Sequence, residues 1–160
     1  MTKADSAHTT TSSRRRRTPK PRPRIDIESL PEIYALICSG KSMEPEIADG
    51  TPLVIDRAAP VRPGDLVIIY LRPEFMVPGA NQSIVKRLVM TAAPSVEYPY
   101  NPHPDSTALP VIVVEQRNPE RRWTERCDRI AAIHRCLGSA TLVDGQVVVP
   151  PGFIEDARRG

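Results

Sequence analysis

The sequence predicts a mainly-β domain of short strands with one or two short helical turns, preceded by a disordered tail. Three observations predict it. Apolar runs recur along the chain, each stopped within a few residues by Gly, Pro, Asn or Asp. The 18 prolines are scattered through those runs' flanks, which leaves no room for long helices. Polar and basic residues are segregated at one end. Residues 1–24 carry eight Lys or Arg against Asp5 alone, a charge of +7, so the total of +3 leaves −4 on the remainder.

Residues 1–24, with Arg14-Arg15-Arg16-Arg17 and Lys20-Pro21-Arg22-Pro23-Arg24, have almost nothing to bury and are expected to be disordered. They are too few and too polar for a helix-turn-helix. A basic arm of this kind, residues 14–24 above all, makes salt-sensitive phosphate contacts with nucleic acid, or is simply a solvated tail; no aromatic residue is interleaved for base stacking. The folded domain is assigned to residues 25–160.

Within it, Tyr34-Ala35-Leu36-Ile37-Cys38 reads as a buried strand stopped by Ser39-Gly40. Ser42-Met43-Glu44-Pro45-Glu46-Ile47 has the composition of a first helical turn capped by Ser42, and Asp49-Gly50 makes a turn after it. Leu53-Val54-Ile55 is the next strand. Pro63-Gly64-Asp65 turns the chain into Leu66–Leu71, the longest strand-like apolar run. Residues 73–82 read as a loop, Ile84–Val89 as a strand, and residues 91–108 as a proline-rich loop. Strands are expected at Val111–Glu115 and Ile130–Cys136. Thr141-Leu142-Val143 and Val147-Val148-Val149 flank Asp144-Gly145-Gln146 as a hairpin.

Composition excludes several function classes. Cys38, Cys127 and Cys136 form no C-x-x-C pair, and three cysteines leave one over in any disulfide scheme, so a reducing compartment is expected. No stretch reaches the ~20 apolar residues of a membrane span, and no apolar segment follows the basic N-terminus as in a secretory signal. A soluble cytoplasmic protein without membrane contact follows. His8, His103 and His134 have no second ligand at metal spacing, so neither metal nor cofactor is implied; His134 and Cys136 share one strand face and read as packed residues. Gly40-Lys41-Ser42 lacks the upstream glycine of a phosphate loop.

Ser42 and Lys86 remain. A serine hydroxyl is a poor nucleophile until a base removes its proton, and a lysine is such a base only when neutral. That needs roughly three units of depression from about 10.4, which burial supplies. By strand alternation Lys86 shares a face with Ile84 and Leu88, and Arg87 shares the other with Val85 and Val89, so alternation alone does not choose between the two cations. Backbone N–H groups at Ser42 and Met43, where a strand gives way to a turn, are candidates to receive charge on an attacked carbonyl oxygen.

Gly40-Lys41-Ser42-Met43-Glu44-Pro45-Glu46-Ile47-Ala48-Asp49-Gly50 resembles the nucleophile motif of the LexA, UmuD and phage-repressor peptidases, which are distantly related to signal peptidases. All fixed positions of Gly-x-Ser-Met-x-Pro-x-Ile-x-Asp-Gly are met. Leu53–Asp56, Pro63-Gly64-Asp65-Leu66-Val67, Val85-Lys86-Arg87-Leu88, Tyr100–Pro104 and Ile130–Leu137 resemble the family's later elements in order, over about residues 34–137. The resemblance implies a LexA/signal-peptidase-like β-fold and a serine endopeptidase with Ser42 as nucleophile and Lys86, not Arg87, as general base. It further implies Ser42 and Met43 amides as oxyanion donors, a homodimer, and a stress-response (SOS) or prophage regulatory setting. The substrate is then a peptide or protein, the chain's own N-terminal segment included. Two departures stand out. Residues 73–82 look like an insertion, and no Ala-Gly or Cys-Gly dipeptide, the bond cut by self-cleaving members, occurs in residues 1–41. A dimerising transcriptional-regulator module without catalysis is the rival reading, and nucleic-acid binding through the tail a third. A signal peptidase is disfavoured because no membrane anchor is encoded.

Overall fold

The computed structural model of the protein describes residues 24–106 and 109–160. The predicted tail, and with it the candidate nucleic-acid arm up to residue 23, lies outside the described residues. Seven strands form one antiparallel sheet: β1 (Ile33–Ile37), β2 (Pro52–Asp56), β3 (Leu66–Leu71), β4 (Ser83–Met90), β5 (Val111–Arg117), β6 (Glu120–Arg126) and β7 (Ile130–Ser139). Their spatial order is β1-β2-β7-β3-β4-β5-β6, so the late strand β7 is inserted between β2 and β3. The expected mainly-β architecture is therefore what the chain adopts.

The sheet carries core on both faces, which is why its central strands read as unbroken apolar runs. Along β3, Val67 and Ile69 enter one cluster with Leu88, Ile112, Val114 and Ile130. Ile68 and Tyr70 enter the other, with Leu53, Ile55, Met43 and Ile47. The edge strand β6 is largely exposed and rich in Glu and Arg, which discourages further pairing. Sequence reading missed β6; its charged composition hides a strand that Asn118-Pro119 joins tightly to β5.

β8 (Thr141–Val143) and β9 (Gln146–Val148) form the expected hairpin, with Asp144 and Gly145 at φ 51° and 77° as a two-residue loop of this hand requires. Gln146 thus belongs to a strand rather than to the turn. Helix α1 (Phe153–Arg159) follows; it was not anticipated. Its Arg158 reaches back to Asp56 and Glu32, each at 2.6 Å. Burial alone would raise the Asp56 carboxyl, but Arg158 and the Ala58 and Ala59 amides overcome it and hold the group below its usual range. A short 3-10 turn at Pro73–Phe75 interrupts the loop expected over 73–82. All three cysteines are free and buried. No helix among the described residues is long and apolar enough to cross a membrane.

Candidate active site

Ser42 lies in the connection from β1 to β2, and the fixed residues of its motif each have a physical task there. The neck of the loop is closed by the Cys38 amide donating to the Thr51 carbonyl (2.8 Å) and the Gly50 amide donating to the Cys38 carbonyl (2.9 Å). Gly40 and Gly50 take φ of 102° and 84°, a region that disfavours side chains. The Asp49 carboxylate accepts from the Gly40 amide at 2.8 Å, tying the two ends of the motif together. Met43 and Ile47 drop into the core as pegs, 1% and 6% exposed. Met43 therefore packs beneath Ser42.

One helical hydrogen bond closes here, Ile47 amide to Met43 carbonyl at 2.9 Å, but Ser42 does not cap the turn, and that part of the expectation is corrected. Residues 42–46 make successive turns instead. An N-cap hydroxyl accepts from the amide two or three positions on. Pro45 has no N–H, and the Glu44 amide is already donated to the Lys41 carbonyl at 3.1 Å. The Ser42 hydroxyl is thereby left for another partner, while its carbonyl is gripped by the Arg117 and Asn118 amides, both at 2.9 Å, at the end of β5.

That partner is Lys86. Its Nζ donates to Ser42 Oγ at 2.8 Å. The lysine is 6% exposed, in register with the buried Val67 of β3 and on the same face as Ile84 and Leu88. Burial lowers its basicity, and the Cys38 thiol nearby works weakly the other way. Arg87, pointing to the opposite face, is used differently: it pairs with Glu46 and donates to the Gly64 carbonyl. Glu46 also takes Arg117 at 3.3 Å. The Ser42 loop is thus straddled by two adjacent residues of β4, one bonded to Ser42 and one to Glu46.

A cleft of about 300 Å³ opens beside Ser42 and Lys86, lined by Leu36–Ser39 of the first strand's end, by Ser42, and by Ser83–Lys86 of β4. Both strands present unpaired backbone there. β1 is the sheet's edge, and β4 pairs with β5 only from Arg87 onward. The amides of Glu44 and Ile47 are consumed within the loop; those of Ser42 and Met43 make no hydrogen bond to another described residue.

A model of the peptidase S24-like family matches residues 5–114. The chain belongs to this family. The match takes in the Ser42 motif and the Lys86 strand, begins in residues outside the described structure, and ends within β5, whereas the sequence resemblance runs over about 34–137. No match was found among curated proteins or among solved structures.

Other sequence candidates fall elsewhere. His134 and Cys136 are buried, as a packed reading requires, and His134 Nδ1 is bonded to Tyr34 Oη at 2.8 Å on the face away from Lys86. His103 lies in an exposed loop against Asp105. Sequence reasoning missed two groups near Ser42 and Lys86, the Glu46 bridges and Trp123 of β6, whose ring centroid lies 5.8 Å from Lys86 Nζ. Glu46 sits at a variable position of the motif. Trp123 is the chain's single tryptophan, but only cross-strand register brings it to the lysine.

Proposed function

We propose that this member of the peptidase S24-like family is a serine endopeptidase with a Ser42–Lys86 dyad. The observation that carries the reading is a buried amine 2.8 Å from a hydroxyl that has no capping role. Neutral Lys86 accepts the Ser42 proton as Oγ attacks a peptide carbonyl. The Ser42 and Met43 amides receive the oxyanion. Protonated Lys86 then gives its proton to the departing amine, and water, deprotonated by the same lysine, releases the acyl group. An extended peptide is the substrate class that fits a cleft bounded by two unpaired strand edges.

The substrate is a peptide or protein, the chain's own N-terminal segment included, although residues 1–41 contain none of the dipeptides cut in self-cleaving relatives. A regulatory setting, stress-response or prophage, comes from the resemblance alone, and a cytoplasmic one from the cysteine usage. Leu142, Val143 and Val148, exposed on the β8–β9 hairpin, favour self-association into a dimer, which is also what the non-catalytic regulatory reading requires.

The test is incubation of the purified chain, alone and with unfolded protein substrate, across neutral to alkaline pH, followed by mass spectrometry. Fragments that grow as lysine deprotonates and vanish in both Ser42→Ala and Lys86→Ala are expected. Cleavage that persists in either variant overturns the dyad.

A further inference from the structure

We infer that Trp123 is a positioning residue for the general base, its indole forming the wall that keeps water from Lys86 Nζ. The placement follows from register. Leu88 of β4 pairs with Val114 of β5, which pairs with Trp123 of β6, so all three side chains stand in one row on one face. Lys86 is the next residue toward the cleft on that face. Pairing between β4 and β5 begins only at Arg87, so the flank of Lys86 is not covered by a neighbouring strand. The large ring of Trp123, half-buried against that cluster, reaches across the gap to within 5.8 Å of Nζ. A small side chain on β6 leaves the gap open to water.

An indole acts on a lysine in two opposed ways. Its π-face attracts the ammonium, but 5.8 Å is close to the ~6 Å limit of that effect. Its bulk displaces water, and loss of hydration is what depresses a buried lysine, by as much as several units. Exclusion of water therefore dominates, consistent with burial as the leading cause of the depressed Lys86 basicity. The other charged and titratable groups around Lys86 are few. The Cys38 thiol faces it from the end of β1. Arg121 lies 5.7 Å from the same indole centroid. Arg135 stands in the same cross-strand row beyond Val67, with Asp65 against it at 3.4 Å. Ser42 completes the surroundings.

For catalysis this inference rests on the dyad reading, but its test does not. The protonation midpoint of Lys86 is measured in the full chain by pH-dependent amine acetylation read by mass spectrometry, in the unsubstituted protein, Trp123→Phe and Trp123→Ala. The expected midpoint rises by about one pH unit in Trp123→Ala, because exposure restores the charged form, and stays near its original value in Trp123→Phe. Cleavage by Trp123→Ala then falls about tenfold at neutral pH and recovers at alkaline pH. Because Trp123 is the only tryptophan, its emission in the unsubstituted protein is a second measurement, free of any folding defect in a variant. That emission should change with pH at the Lys86 midpoint, and the change should disappear in Lys86→Met. An unmoved acetylation midpoint in folded Trp123→Ala, or emission indifferent to Lys86→Met, overturns the inference. If the unsubstituted protein cuts nothing, the dyad reading fails while the midpoint still decides the role of Trp123.

Discussion

Two buried polar clusters lie back to back on the same sheet. On one face Lys86 is bonded to Ser42 at 2.8 Å. On the other, His134 Nδ1 is bonded to Tyr34 Oη at 2.8 Å, and that hydroxyl to Tyr70 Oη at 2.7 Å. Both place a nitrogen base against a hydroxyl, and burial depresses the basicity of both. They are neighbours: Val67 of β3 pairs with Lys86, and the adjacent Ile68 pairs with His134. Yet the histidine ring is flanked by Tyr34 and Tyr70 with centroids at 5.9 and 5.2 Å, and its partner hydroxyl is engaged a second time. The lysine's hydroxyl partner faces a cleft. A perturbed base therefore marks burial, and on the proposed reading burial becomes chemistry only where the hydroxyl is spare and reachable.

The largest expected effect breaks the comparison from the catalytic side. Ser42→Ala and Lys86→Ala should each lower cleavage by at least ~10³-fold, with near-ultraviolet circular dichroism unchanged. Tyr34→Phe should leave the cleavage rate within about twofold, because its cluster touches no part of the cleft chemistry. If Tyr34→Phe matches Ser42→Ala in assay, the two faces are not separate.

The second effect is on stability and runs the other way. Tyr34→Phe strands His134 Nδ1 and Tyr70 Oη without their shared partner, which costs about 1–3 kcal/mol in chemical denaturation. His134 adds a pH window. Its basicity in the folded state lies below the usual 6.5, so its contribution is complete above about pH 6.5. As pH falls through that value toward the folded one, the unfolded chain takes up the proton first and stability is lost. Replacing His134 by Gln should flatten that acid limb, and an unaltered limb would mean that another group causes it.

How much of this was legible without coordinates follows from which interactions are local. The strand runs of β2, β3, β4 and β7 were readable because their apolar content is contiguous. The β6 strand and helix α1 were not, since each is more than half charged and is held by distant partners: Trp123 by cross-strand register, Arg158 by Asp56 a hundred residues away. Ser42 and Lys86 were nameable as a pair by resemblance, whereas alternation left Arg87 as an equal candidate. The capped helical turn was misread because Ser42, Glu44 and Glu46 suit a helix start in composition. Pro45 removes the very amide that such a cap needs. Tyr34, Tyr70 and His134 carried no local sign of meeting, being 36 and 100 residues from one another along the chain.

A third, smaller effect tests what the lysine costs the fold. In the unfolded chain Lys86 has its ordinary basicity near 10.4, above the folded value. The folded state is therefore unpenalised above about pH 10.4 and loses stability as pH drops toward the folded value. At neutral pH, Lys86→Met should raise stability by roughly 1 kcal/mol while abolishing cleavage, since the replacement fills similar volume without a charge to desolvate. A lower melting temperature for Lys86→Met would show that the bond to Ser42 outweighs the burial.

The smallest effect concerns how the Ser42 loop is held. Glu46 joins that loop to Arg87 and Arg117, but its side chain is 32% exposed and its partners 26% and 36%, so solvent and salt screen the bridges. Their loss should cost under about 1 kcal/mol of stability. Geometry is the more sensitive readout, because Ser42 must stay within hydrogen-bond reach of Nζ, and a small displacement of a reacting group reduces rate more than it reduces stability. Glu46→Gln is accordingly expected to lower kcat about threefold with KM unchanged. High salt should produce the same loss in the unsubstituted protein and no additional loss in the variant. A rise in KM instead would place Glu46 against the substrate, and the loop would then owe its position to the Arg117 and Asn118 amides that grip the Ser42 carbonyl.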